Sequence, residues 1–395
     1  MNMSAGNETS AHKVGRFLAF VPLLFLRVLA SLAVKPNKGN LHWRQLVALR
    51  FLQSQRATLP QDILQWYVRR TSTGEGVRGY CAKHGISHRQ VTLESAAVGE
   101  HSTSTPPGIL HILTPKSSKN EAERTNKTIL YLHGGGYVNP MRSEAHMPFI
   151  IKIVSASRAS QVAILEYSLA PEHPYPAQTI QAIAALNHVL NRMSIPAEEI
   201  TIAGDSAGGQ MVGSVLAHIV RPCPYALPIS LPKGAKLGAA LMISPLTVLE
   251  IKDESYIRND GQDYLDKKQM GGFEAAWKPA NGEVWADMCE GEGSKEVWDE
   301  VFRGTEGGVV TRVMVTVGTA EVFLDCCREF AKSFLRAEKT VRVGQGTNLG
   351  ELDWNKEHLY VECEGEVHVQ VALDSAVGYE GGLMMAAILG WLKSF

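Results

Sequence analysis

The sequence predicts an α/β fold with a mostly parallel central sheet that is covered by helices on both faces. From residue 128 onward, short apolar runs alternate with longer segments of helical periodicity. Runs such as "TILYLH" are apolar throughout, as expected of strands that are buried on both faces. Alternation of strands and helices at these lengths is typical of a parallel sheet.

The elements follow one another in a regular order. Residues 1–88 carry no strand pattern and predict helices, the clearest over 41–55. Strands are predicted at 89–95, 108–115, 128–133, 161–167, 199–204, 236–244, 312–318 and 358–363. Helices are predicted at 176–193, 206–220, 323–337 and 381–395. The long connection 341–357 either reshapes a pocket or lies outside it.

The predicted organisation has two parts. Residues 1–88 form an N-terminal apolar segment with cap helices, and residues 89–395 form the main domain. A cap insertion is expected around 250–305, where charge, glycine and tryptophan are frequent and no strand pattern occurs. Such an insertion would lie at the carboxyl edge of the sheet, where open α/β sheets place their sites.

Composition narrows the class of function. The chain has 395 residues and a net charge of −1, which gives no electrostatic reason to expect a nucleic-acid partner. Its six cysteines are scattered without metal-binding spacing, so we expect buried free thiols and no metal site. The sequence does not indicate an oligomeric state.

The segment 16–34, "RFLAFVPLLFLRVLASLAV", is strongly apolar. A membrane-spanning helix needs about 20 apolar residues, and Arg27 interrupts this one. A cleaved signal peptide is an alternative, with Ser31-Leu32-Ala33 as its cleavage site. A helix that lies on a membrane or folds over the main domain accommodates Arg27 best. We therefore expect a cytoplasmic or membrane-associated protein, and secretion is less favoured.

The stretch "GDSAGG", residues 204–209, follows a predicted strand and precedes a predicted helix. It contains G-x-S-x-G in the strand–turn–helix setting of a nucleophilic serine. Gly204 and Gly208 leave room for a sharp turn, so that the Ser206 hydroxyl projects above the sheet.

The stretch "HGGG", residues 133–136, ends an apolar run. Acyl transfer needs hydrogen-bond donors for the oxyanion of the tetrahedral intermediate. Backbone amides of Gly134 and Gly135 can point at one site because no side chain blocks them, and the amide of Ala207 can join them. We expect these three amides to form an oxyanion hole.

Three blocks together, "HGGGYV", "YSLAPEHPYPA" and "GDSAGG", resemble the hormone-sensitive-lipase family of α/β-hydrolases over roughly residues 105–395. The resemblance implies an α/β-hydrolase sheet with a helical cap and cofactor-free hydrolysis of carboxylic esters. It also implies that His133 and its glycines form the oxyanion loop and that Ser206 is the nucleophile. Glu172 and His173, in the second block, are expected to be structural.

The remaining triad members should follow in the order acid, then histidine. Glu321 stands where the family usually has Asp, and Asp325 is the alternative acid one helical turn later. His368 follows the last predicted strand and matches the family's loop histidine, with His173 and His358 as fallbacks. Glutamate suffices as the acid, because it only has to orient and stabilise the imidazole.

The preferred function is a serine carboxylesterase or lipase-like hydrolase that cleaves a small-molecule acyl ester with Ser206, Glu321 and His368. A second hypothesis is an acyltransferase or ester hydrolase in a biosynthetic pathway that uses the same triad. A third, from another class, is a non-catalytic protein that binds a small ligand on this fold. Retention of the three residues argues against the third hypothesis.

Overall fold

The computed structural model describes residues 10–115, 125–303, 307–337 and 340–395. Its nine strands form one sheet in the order β1-β2-β4-β3-β5-β6-β7-β9-β8. The strands are β1 Ser87–Thr92, β2 Ile109–Thr114, β3 Thr128–Leu132, β4 Gln161–Glu166, β5 Ile200–Asp205, β6 Leu237–Ile243, β7 Val310–Gly318, β8 Thr340–Val343 and β9 His358–Cys363. β2 runs antiparallel to both β1 and β4, and the other pairings are parallel, which confirms the predicted mostly parallel sheet.

Helices cover both faces of the sheet. They are α1 Ser10–Val34, α2 Trp43–Thr58, α3 Gln61–Val68, α4 Thr73–His84, α5 His101–Ser104, α6 Ser143–Ala156, α7 Ala177–Asn187, α8 Ala207–Val220, α9 Ser255–Arg258, α10 Lys267–Trp277, α11 Ser294–Val301, α12 Leu324–Ser333, α13 Gln370–Ala376 and α14 Leu383–Leu392. α7, α8, α11 and α12 pack on one face, and α4, α6, α13 and α14 pack on the other.

The alternation of side chains along β3 shows why its sequence is apolar throughout. Leu130 and Leu132 belong to the core on the α8 face, whereas Ile129 and Tyr131 belong to the core on the α6 face. Because successive side chains of a strand point to opposite faces, both sets must be apolar. All five residues of β3 are buried.

Several elements have no counterpart in the sequence prediction, among them α6, α13 and β8. The helices α6 and α13 follow the glycine loop and the last strand, and α6 contains Pro148. The connection 341–357 contributes β8, which pairs in parallel with β9 at the edge of the sheet. No residue of 340–357 lines the cavity described below, so this described part of the connection lies outside the pocket.

The N-terminal helices α2 and α4 both begin at capping boxes. α2 has a capping box, in which the His42 ring accepts from the Arg44 amide and the Gln45 side chain accepts from the His42 amide. α4 has a second capping box, formed by Ser72 and Glu75, and ends at Gly85 in the left-handed conformation.

Within the described ranges, α1 alone has the length and composition of a helix that crosses a membrane. In α1, Leu24 is the one buried residue.

Candidate active site

Ser206 lies at the turn between β5 and α8, at the carboxyl edge of the sheet. Its backbone has φ 54° and ψ −121°, a conformation that non-glycine residues rarely adopt. The flanking glycines are sterically required: a Cβ atom at Gly208 would overlap the carbonyl oxygen of Leu132, and one at Gly204 would overlap the backbone of Gly208. The turn therefore holds the Ser206 hydroxyl outward above the sheet.

His368 and Glu321 reach the same edge from β9 and β7. His368 Nε2 lies 2.8 Å from Ser206 Oγ, which is hydrogen-bonding distance. His368 Nδ1 lies 3.8 Å from Glu321 Oε2, which is too long for a hydrogen bond. Within the described part of the chain, His368 Nδ1 and Glu321 Oε1 have no other hydrogen-bond partner. The serine, histidine and glutamate predicted from the sequence thus lie close together, but His368 and Glu321 are not hydrogen-bonded to each other.

Ser244 holds Glu321 in this position. Its hydroxyl donates to Glu321 Oε2 at 2.7 Å and accepts from the Val369 amide at 3.2 Å. Ser244 itself has φ 46°. The contact joins the end of β6 to both the acid loop and the histidine loop, and no sequence motif indicated it.

Burial shifts the pKa values of both His368 and Glu321. It lowers the pKa of His368 to about 3, so the ring is neutral at physiological pH. Burial also raises the pKa of Glu321 well above its usual range, with Asp263 adding to the shift and the Ser244 hydrogen bond opposing it. A neutral imidazole whose Nε2 faces a hydroxyl can accept its proton.

The glycine loop lies opposite Ser206 and carries backbone conformations that suit glycine. Gly135 and Gly136 have φ 113° and 61°, and a Cβ atom at Gly135 would overlap the Asn139 carbonyl. The Gly134 amide, however, donates to Asp205 Oδ1 at 3.1 Å. The Gly134 N–H group is thus engaged with Asp205, and its role in an oxyanion hole stays a prediction.

Asp205, which is buried, and His146, which is partly buried, form an ion pair beside the glycine loop. Asp205 accepts from Tyr131 Oη at 2.6 Å and from His146 Nε2 at 3.3 Å. His146 Nδ1 lies 3.0 Å from the Arg142 carbonyl. Since the partners of both ring nitrogens only accept, both nitrogens donate and His146 is an imidazolium.

The shifts in pKa agree with that ion pair. Burial opposes the charge on His146, but Asp205 raises its pKa overall. Burial likewise opposes the charge on Asp205, but His146 and Tyr131 lower its pKa overall. No sequence pattern indicated the role of either residue, although Asp205 lies inside the "GDSAGG" stretch.

His133 anchors the other side of the loop and is fully buried. Burial lowers its pKa to about 4, so the ring is neutral. Nδ1 donates to the Gly134 carbonyl at 2.7 Å, and Nε2 therefore accepts from Thr73 Oγ1 at 3.2 Å. Thr73 Oγ1 in turn accepts from the Met141 amide at 3.0 Å. The first residue of α4 thus ties the two ends of the loop, and no sequence motif indicated this role.

Two further side chains hold the glycine loop and the turns that follow β7 and β9. Tyr137 Oη donates to the Ala207 carbonyl at 2.7 Å, which joins the loop to the start of α8. Asp263, which precedes α10, accepts from the Val322 amide at 3.0 Å and the His368 amide at 3.4 Å. Burial raises the pKa of Asp263 to about 6.

The alternative candidates lie in other environments. Asp325 accepts from the Ser255 amide at 2.8 Å and from Arg258 at 2.7 Å, so both of its oxygens hold α9. His358 is the first residue of β9, at the opposite edge of the sheet, with its ring against Phe302. His173 accepts through its carbonyl from Gln178, within the turn before α7. In the same turn, Glu172 pairs with Arg69 at 2.7 Å.

A cavity of about 980 Å³ opens onto the site. Its wall includes Ser206, His368 and residues 134–137, together with side chains of the N-terminal helices and of α10. In the described ranges, no group of three or more His, Cys, Asp or Glu is arranged to hold a metal ion. All six cysteines are free thiols.

Parts of this chain are similar in sequence to known proteins. Residues 129–349 match the family described as alpha/beta hydrolase fold. The acetyl-hydrolase of Streptomyces hygroscopicus is 26% identical over 183 residues, which are 46% of this chain and 56% of that protein. Carboxylesterase NlhH of Mycobacterium tuberculosis is 29% identical over 154 residues, 38% of this chain and 44% of that protein. The first curated relatives are matched over 26% to 56% of their own length.

Solved structures show the same fold over a longer part of the chain. The crystal structure of an esterase from the bacterial hormone-sensitive lipase family superposes with a TM-score of 0.58 at 20% identity. The match covers 90% of this chain and 98% of that one.

Proposed function

This chain belongs to the alpha/beta hydrolase fold family, and we propose that it is a serine carboxylesterase that works through Ser206, His368 and Glu321. The observation that carries the proposal is the 2.8 Å contact between His368 Nε2 and Ser206 Oγ at the floor of the cavity. A neutral histidine in contact with a serine on a strained turn is the arrangement that acyl transfer needs.

The proposed reaction has two halves. Ser206 Oγ attacks the ester carbonyl while His368 Nε2 takes its proton, and the resulting imidazolium then protonates the leaving alcohol. Water, deprotonated by His368, attacks the acyl-serine and releases the carboxylic acid, and the proton returns to Ser206 Oγ. Each half passes through a tetrahedral oxyanion, which needs donors on the side of the glycine loop.

We assign the oxyanion to the amides of Gly135 and Ala207. Ala207 is the first residue of α8, and the first amides of a helix have no partner within the helix. Gly134 is assigned a supporting role, because its amide fastens the loop to Asp205. The ion pair of Asp205 with His146 would keep that carboxylate charged and fixed.

Glu321 is proposed as the acid of the triad. Its Oε2 lies 3.8 Å from His368 Nδ1, whereas both Asp325 oxygens are occupied by α9. Hydrogen bonds of this kind are often long without substrate and shorten when the reacting complex forms. When His368 becomes an imidazolium, its Nδ1–H would attract the glutamate and close the gap.

A labelling experiment tests the nucleophile. A fluorophosphonate probe should label the wild-type chain, and Ser206→Ala should remove both the label and the hydrolysis of p-nitrophenyl butyrate. Ser160→Ala is a suitable control, because that hydroxyl donates to the Lys127 carbonyl at the far end of β4. Persistent turnover by Ser206→Ala, with contaminating esterases excluded, would reject the assignment.

The same proposal covers domain organisation and location. We assign residues 1–88 to the N-terminal segment and cap, and residues 89–395 to the hydrolase domain. In the insertion around 250–305, α10 lines the cavity, while Val297 and Trp298 of α11 pack in the core that also contains α8. The apolar segment 16–34 is proposed to associate with a membrane.

A further inference from the structure

The exposed apolar surface is concentrated in one part of the molecule. Among the described residues, thirteen large hydrophobic side chains are exposed, and eleven of them lie between Val14 and Phe51. Eight of the eleven are on α1 and three are on α2. Scattered exposed hydrophobic residues are ordinary on a protein surface, whereas a contiguous set marks a surface that contacts something else.

α1 is held on the protein along one side only. The Phe17 ring stacks on Tyr67 at 4.8 Å, Arg16 pairs with Asp62 at 2.8 Å, and Arg27 donates to the Ala57 carbonyl. These contacts with α2 and α3 spread over three turns of α1, so the helix lies along the protein rather than projecting from it. The two arginines of α1 therefore point toward protein partners.

The opposite side of α1 is apolar along its length. Leu18, Phe25 and Leu26 are 59%, 62% and 61% exposed, at the helical spacing that places them on one face. Residues 10–38 contain no acidic side chain, and the apolar face is flanked by Lys13 before it and by Lys35 and Lys38 after it. A helix with these properties suits the interface of a bilayer with anionic lipids.

The mouth of the cavity opens on this same surface. Val28 and Lys35 line the cavity, as do Val47 and Phe51 of α2, which are 38% and 40% exposed. A side chain that is exposed and also lines the cavity lies at its entrance. Leu64 and Val68 of α3 line the same cavity, which also reaches Ser206.

We propose that α1 lies in the interfacial layer of an anionic phospholipid bilayer, and that the cavity takes its substrate directly from that bilayer. The substrate class is a water-insoluble ester with a long acyl chain. The cavity of about 980 Å³ is at the upper end of the range for small-molecule sites, which is more than a short acyl ester fills. This inference rests on the proposed esterase function.

The test compares two ester substrates and substitutions on two different surfaces of the protein. The triple variant Leu18→Gln/Phe25→Gln/Leu29→Gln changes the outer face of α1 without touching residues that line the cavity. The matched control, Leu227→Gln/Ile257→Gln, removes two equally exposed hydrophobic residues elsewhere, at 50% and 71% exposure. Each full-length protein is tested for flotation with phosphatidylcholine–phosphatidylserine vesicles. Rates are measured with soluble p-nitrophenyl butyrate and with p-nitrophenyl palmitate embedded in the vesicles.

Wild type and control should float with the vesicles and hydrolyse both esters. The triple variant should lose flotation and hydrolyse embedded palmitate about tenfold more slowly, because its apolar contact with the bilayer is lost. Its rate with butyrate should stay within about twofold of wild type, since the catalytic residues are unchanged. Phosphatidylcholine alone should bind the wild type more weakly.

Three results would overturn the inference. The triple variant, released from vesicles, could still hydrolyse embedded palmitate at the wild-type rate. The wild type could fail to float. Sedimentation without lipid could show a wild-type dimer that the triple variant dissociates, which would assign the face to a second copy of the chain. Failure of the esterase function itself would look different, because the wild type would then leave soluble butyrate intact.

Discussion

Replacing Thr73, which lies outside the glycine loop, with valine should weaken the contacts that hold the loop in place. The Thr73 hydroxyl donates to His133 Nε2 at 3.2 Å and accepts from the Met141 amide at 3.0 Å. Valine has nearly the same shape but neither donates nor accepts. The variant thus removes the link between α4 and both ends of the loop, and leaves the side chains of Ser206 and His368 intact.

The size of the effect follows from those two bonds. Loss of the neutral hydrogen bond to His133 should cost about 1 kcal/mol, and the buried Met141 amide left without a partner about 1–3 kcal/mol more. The free energy of unfolding should therefore fall by about 2–4 kcal/mol. If the His133 bond contributes fully to holding the oxyanion loop, kcat/KM should fall about fivefold, since 1.36 kcal/mol corresponds to a factor of ten.

Urea unfolding and steady-state hydrolysis of p-nitrophenyl butyrate measure the two effects. Thr71→Val is the matched control, because Thr71 is exposed and lies two residues earlier. The control should keep both the stability and the kcat/KM of the wild type. A Thr73→Val variant that lost stability but kept wild-type kcat/KM would show that the loop does not depend on this contact.

Three more changes test other parts of the site. Glu321→Ala should lower kcat by roughly 10³–10⁴-fold, as loss of a triad acid does elsewhere, and Asp325→Ala far less; the reverse ranking in steady-state kinetics would move the acid to Asp325. His146→Gln should destabilise the protein near pH 5.5, where His146 and Asp205 are both charged. Because the folded-state pKa of His146 is raised, its stabilising effect is full below its unfolded pKa and is lost as pH rises through the folded value. Because the pKa of Asp205 is lowered, the contribution of its charge to stability is lost only at acid pH. In alkali His146 loses its charge, so the urea midpoints of variant and wild type should converge there. A constant difference up to pH 9.5 would contradict the ion pair. Gly208→Ala should destabilise the fold by about 3 kcal/mol or more, since the new Cβ atom meets the Leu132 carbonyl; a wild-type thermal midpoint would disprove the close approach.

The central sheet could be predicted from the sequence because local pattern decides it. Strands such as β3 and β4 are apolar on both faces, and such runs have few other structures available to them. β8 was missed because it is only four residues long and lies at an edge of the sheet, with Val343 as its one buried residue. α6 was missed because Pro148 and the preceding glycine loop obscure its helical pattern.

The site was predictable only where its residues form a contiguous motif. Ser206 and the glycine loop stand in short motifs whose spacing follows from local backbone geometry. Thr73, Ser244 and Asp263 contribute single side chains from distant segments, and each acts through a backbone amide or another side chain. Contacts of that kind depend on tertiary structure, so no local pattern indicates them.

The double attachment of Asp263 limits how the insertion around 250–305 can move. One carboxylate oxygen is bonded to the segment after β7, and the other to the segment after β9. An outward rigid-body movement of the segment that carries Asp263 would break both bonds and displace the turns that carry Glu321 and His368. Substrate and product should therefore enter and leave through an entrance that is already open. Exchanging this insertion with that of another hydrolase would require a carboxylate at the same position.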